Sequence, residues 1–129
     1  MIYNYGQWFN ISERKKQLRD LGNVETEITI EIDLEASYHA DERKFRHDTE
    51  ITDKEIIKTF EKAIPHISEG LMTNIIDVGD IFRVFDKSNN LNVIGVLEGS
   101  KMPLKYIVVT VMRKQNFKPF KGQHSFYVY

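Results

Sequence analysis

Between Val24 and Leu34 the chain alternates almost without a break. Val24, Ile28, Ile30, Ile32 and Leu34 fall on one side of an extended strand, and Glu25, Glu27, Thr29, Glu31 and Asp33 fall on the other. One side must be buried, and the other is wet and acidic. Such alternation favours an antiparallel sheet with one solvated face. It also requires a second layer to cover the apolar face.

The residues that follow can supply that layer. Thr52 is a helix cap, Glu55 stands at the reciprocal capping-box position, and Ile51 precedes the cap. Ile56, Ile57, Phe60, Ala63, Ile64 and Ile67 then recur at helical spacing. Pro65 is expected to end or bend this helix, and Gly70 closes the region. A preceding helix is expected over roughly 38–47, capped by Ser37, with Tyr38, Ala40 and Phe45 as its apolar contacts. Residues 12–21 suggest a short solvated helix, with Ser12 as cap, Gly22 just past its end, and Arg14, Lys15, Lys16 and Arg19 within it. Residues 1–10 are aromatic-rich and unpatterned.

The second half reads as a meander. Strands are expected at 81–85, 91–97, 106–112 and 124–129. Asp86–Asn90 is a turn by composition, and Gly99 and Pro103 mark the next loop. The expected fold is α+β: an N-terminal strand and two helices packed on a mainly antiparallel sheet drawn from the C-terminal half. With 129 residues, no repeat and no linker, one domain spanning 1–129 is expected.

Composition narrows the function classes. Hydrophobic residues make up 41% and charged residues 29%, which suits a globular chain. The net charge of -1 leaves nucleic-acid binding to a local patch. There is no cysteine, hence no disulfide, thiolate nucleophile or sulfur-ligated zinc. No apolar run approaches the ~20 residues that span a bilayer, and the first residues lack the pattern of a signal peptide. The expectation is an intracellular, cytoplasmic protein with no membrane partner.

Two stretches carry chemistry. On a helix, His39, Arg43 and either Arg46 or His47 would share one face. An imidazole moves a proton and a guanidinium holds a phosphate, so the face suits phosphoryl chemistry. A solvated helix face is the bland alternative, with Glu42 orienting His39 or pairing with Arg46. The second stretch runs from Arg113 to Tyr127. Arg113, Lys114, Lys118, Lys121 and His124 are interleaved there with Phe117, Phe120, Phe126 and Tyr127. Cations can follow a nucleic-acid backbone while rings stack on bases; equally, the phenylalanines can be core. No metal-ligand spacing, phosphate loop or nucleophile elbow occurs, so neither metal nor cofactor is expected. Asp77, Asp80 and Asp86 read as turn and cap residues.

His39-Ala40-x-x-Arg43, followed by Ile51-Thr52-x-x-Glu55-Ile56 and a late basic, histidine-bearing strand, resembles the barnase–EndoU–colicin–RelE superfamily, and within it the small BrnT-type toxins. The resemblance covers about residues 37–129, with 1–36 as an extension to the minimal fold. It implies a small metal-independent endoribonuclease, toxin-like or phage-encoded, or a relative without activity. The RNA 2′-hydroxyl would be the nucleophile, a base would take its proton, cations would stabilise the phosphorane, and an acid would protonate the leaving oxygen. His39 and Arg43 match the motif. His124 as the third catalytic group and Lys114 as a phosphate contact follow from chemistry alone. The expected partner is RNA, with the ribosome and an antitoxin or host protein as further partners. The alternatives are a non-catalytic RNA- or ribosome-binding module, and a protein that binds a host protein through the acidic strand or the aromatic N-terminus.

Overall fold

A computed structural model describes residues 2–19, 22–37, 51–101, 103–113 and 123–129, with side chains from residue 31 onward. Its elements are β1 (Ile2–Arg19), β2 (Gly22–Ser37), α1 (Asp53–Met72), β3 (Ile81–Asp86), β4 (Leu91–Glu98), β5 (Leu104–Met112) and β6 (His124–Val128). The strands form one sheet in the order β1-β2-β5-β4-β3-β6. The class is α+β, as expected. The expected helix over 38–47 lies outside the described residues.

Three expectations are corrected. The stretch 12–21 was expected to be helical, but residues through Arg19 form strand, in one element that begins at Ile2. An isolated ten-residue helix is marginal in water. Pairing along β2 satisfies the backbone instead, and its register sets Arg14 opposite Glu27 and Lys16 opposite Glu25. Opposite charges at facing positions favour that pairing. Second, the sheet is mixed. β3, β4 and β5 do form an antiparallel meander, but β6 pairs parallel to β3 and β2 pairs parallel to β5. β2 is therefore an interior strand, flanked by β1 and β5. Third, Pro65 does not end α1, which continues to Met72. Proline deletes one backbone bond, but Pro65 is exposed while Ile64 and Ile67 are buried on the core side. Packing on both sides of the proline holds the helix together.

The start of α1 is as expected. The Thr52 hydroxyl accepts from Glu55 N at 3.2 Å, and Thr52 N donates to the Glu55 carboxylate at 3.0 Å. Ile51 and Ile56, either side of the cap, are both fully buried. From there Phe60, Ala63, Ile64 and Ile67 descend onto one face of the sheet. Phe60 stacks on Tyr106 at 4.8 Å, Tyr106 meets Phe82 at 4.9 Å, and Phe82 meets Phe126 edge-on at 5.4 Å. This aromatic chain ties α1 to β5, β3 and β6 across the sheet. Gly70 lets the helix end come close, since a Cβ there would stand 3.1 Å from both Ile76 and Phe126.

The opposite face is buried too, and it holds polar groups. Arg83, Asn92 and Glu35 lie there with Phe85, Ile94 and Ile107, all nine-tenths or more buried. The apolar strands β3 and β4 thus bury both faces, consistent with their near-continuous Val, Ile, Leu and Phe content.

Candidate nucleic-acid interface

A lone arginine in the apolar run Ile81-Phe82-Arg83-Val84-Phe85 organises this site. Burial of a guanidinium is costly unless its donors are satisfied. Arg83 donates from Nε to Ser125 Oγ at 3.0 Å, from Nη1 to Asn92 Oδ1 at 3.1 Å, and from Nη2 to the Tyr127 hydroxyl at 3.1 Å. Its Cζ lies 5.5 Å from the ring centroids of both Phe85 and Tyr127. Strand register makes this possible, because Arg83 is paired with Ser125 and Phe85 with Tyr127.

One residue beyond β3, Lys87 completes the cluster. Its ammonium donates to the Tyr129 hydroxyl at 3.2 Å and stands 5.3 and 5.0 Å from the Tyr127 and Tyr129 rings. The turn that presents it is built by Asp86. That buried carboxylate accepts from Ser88 N and Oγ, Asn89 Nδ2 and Lys62 Nζ, while Lys87 N donates to Val128 O at 2.9 Å. Asn90, at φ 52, closes the turn in the left-handed region that Asn tolerates. Burial pushes the Asp86 carboxyl up, but the Ser88 and Lys62 hydrogen bonds and the Lys62 charge outweigh it and hold it down at about 2. Asp86 is thus the turn residue its sequence context suggested.

The outcome is two tyrosines two residues apart, Tyr127 on β6 and Tyr129 just past it, 48% and 75% exposed, with cations beside their rings. The acidic strand β2 lies four strands away, about 19 Å at the usual strand spacing.

The expected site residues are placed as follows. His39, Arg43, Arg46, His47, Lys114, Phe117, Lys118, Phe120 and Lys121 lie outside the described residues. Arg113 is held by α1: its Nη2 donates to both Glu55 carboxylate oxygens at 2.7 and 2.8 Å, and its Nη1 donates to Asn89 O at 2.9 Å. Burial pushes the Glu55 carboxyl up, but Thr52 and Arg113 together bring it below its ordinary value. His124 lies beside Phe82 at the start of β3, whereas Arg113 follows Met112, which pairs with Asn92 near the other end of the sheet. The structure does not bring those two together. His124 lines a cavity of about 410 Å³ with Gln123, Asp80, Ile75 and Ile81, its ring edge-on to Phe126 at 4.6 Å.

Arg83, Lys87 and Tyr129 escaped the sequence reading. A single charge inside an apolar strand and aromatics alternating at Tyr127 and Tyr129 were the available signals. Among the described residues no group of three or more His, Asp or Glu side chains could hold a metal ion, and no helix is long and apolar enough to cross a membrane. Compared with family models, with curated proteins and with solved structures, the chain matches none of them. The resemblance to the ribonuclease superfamily therefore rests on its quoted residues alone.

Proposed function

We propose that this protein binds single-stranded RNA as a non-catalytic module, through the Tyr127–Tyr129 end of β6. The observation that carries the reading is the exposed tyrosine pair with the Lys87 ammonium 5.3 and 5.0 Å from the two rings. One ammonium stands beside both rings, so both serve one platform. Bases stack on such rings whatever their identity, while a lysine meets the backbone phosphate. A cytoplasmic RNA, free or in the ribosome, is the partner class this chemistry suits.

The test is fluorescence anisotropy with a labelled mixed-sequence RNA over a salt series. Tyr129→Ala is expected to weaken binding by about 1–3 kcal/mol, the worth of one stacked base. Lys87→Gln is expected to lower the salt slope by about one phosphate contact. Wild-type affinity in Tyr129→Ala would refute the platform.

The endoribonuclease reading is the second one, and one observation favours it. His124 lines an open cavity with Gln123 and Asp80, where a phosphodiester could reach its imidazole. In that reading His39 and Arg43 complete the acid–base and phosphate-holding set. RNA cleavage in excess EDTA that is lost in His39→Ala and in His124→Ala, leaving a cyclic phosphate end in the wild type, would establish it. An antitoxin or host protein would then be the natural protein partner.

A further inference from the structure

Among the described residues the exposed large hydrophobics are Ile75, Val78, Ile81, Tyr127 and Tyr129. Two lie on or just past β6, and three lie in the loop and strand end near its first residue. β6 ends the sheet, with β3 on one side and no strand on the other among the described residues. Proteins commonly protect such an edge with charge, proline or a bulge. His124–Val128 contains no lysine, acid or proline, and its ladder to β3 is unbroken.

The loop beside this edge is held firmly. Asp77 N donates to Asp80 Oδ2 and Val78 N to Asp77 Oδ1, both at 2.8 Å. Gly79 N donates to Leu97 O at 2.6 Å, and Leu97 N donates to Asp80 O at 3.1 Å. Ile75, Val78 and Ile81 are therefore displayed from an ordered frame.

We infer that the occupant of this edge is a second copy of the chain, joined by antiparallel β6–β6 pairing about a two-fold axis near Phe126. A two-fold contact must be self-complementary, and this edge is. With Phe126 at the axis, Ser125 faces the second copy's Tyr127, and Gln123 faces the second copy's Tyr129. Ile81 lies beside Gln123 on the same face, because Phe82 is paired with His124. The exposed Tyr129 ring thus meets the exposed Ile81. Charge agrees as well. Lys87, bonded to Tyr129, arrives at the end that carries Asp77 and Asp80, and symmetry repeats the match. The two sheets become one, and both tyrosine pairs lie on its same face.

Sedimentation equilibrium over a wide concentration series, without RNA, tests the inference. The wild type is expected to dimerise. Ile81→Lys places a cation against the second copy's Lys87 and is expected to weaken dimerisation about tenfold or more. Ile81→Glu is expected to keep it, and Lys87→Glu is expected to restore it in Ile81→Lys. Ile81 is half exposed, so melting curves should show all variants folded. A wild type that stays monomeric, or a dimer indifferent to the sign of charge at position 81, would overturn the inference.

Discussion

Replacing Asp86 with Asn probes a fully buried charge held by a hydrogen-bonded turn. The side chain is fully buried, and the change is isosteric, so no cavity forms. Two losses follow. First, the carboxylate that holds Lys62 Nζ at 2.9 Å is gone. The lowering of the Asp86 pKa from 3.8 to about 2 sets the scale on which the fold favours the ionised form. At about 1.4 kcal/mol for each pH unit, that is about 2 kcal/mol. Second, an amide NH2 now replaces one acceptor: at the Oδ1 position it faces Ser88 N and Oγ, and at the Oδ2 position it faces Asn89 Nδ2 and Thr59 Oγ1. One opposed donor costs about 1 kcal/mol. Lys62 is itself 27% exposed and can turn to water, which limits the penalty for its lost partner. The total at pH 7 is about 3 kcal/mol. With an m-value near ~1.5 kcal/mol/M, the urea midpoint falls by about 2 M.

The pH dependence is the sharper test. A carboxyl with a lowered folded-state pKa contributes stability that is present above its unfolded value and is lost as pH falls through the folded one. The wild type therefore loses about 2 kcal/mol between roughly pH 4 and pH 2 that Asp86→Asn never had. The gap between the two proteins should narrow from about 3 to about 1 kcal/mol across that window. Urea unfolding of both proteins from pH 7 to pH 2 measures it. A gap that stays constant over that range would show that the charged form of Asp86 is not what the fold selects.

Gly95→Ala should destabilise by about 1–3 kcal/mol in thermal melts, because its Cβ would stand 2.6 Å from the Tyr106 ring and from Ile107 O. Wild-type stability would mean that the β4–β5 irregularity at Ile94/Gly95 can shift to make room. A double-mutant cycle on Glu55→Gln and Arg113→Gln should give a coupling of about 1 kcal/mol at neutral pH, modest because the two side chains are 33% and 16% exposed. That coupling is expected to fade as pH falls through the Glu55 range, since its carboxyl sits below the ordinary value and is ionised in the pair.

What could be read from residues alone was whatever local rules decide. The capping box at Thr52–Glu55, the apolar stripe from Ile56 to Ile67, the alternation leading to Leu34 and the turn at Asp86 each depend on neighbours within a few positions. The class α+β followed from them. Partner choice among strands did not, because parallel pairing of β6 with β3, and of β2 with β5, joins segments far apart in the chain. Residues 12–19 show the same limit: their local composition favours helix, and only the presence of β2 beside them makes a strand the better place for their backbone groups. The candidate site belongs to this second kind. Tyr127 was read only as part of the basic and aromatic C-terminal run, and nothing local said that Tyr129, Arg83 and Lys87 would stand beside it. Parallel register across two strands decided that.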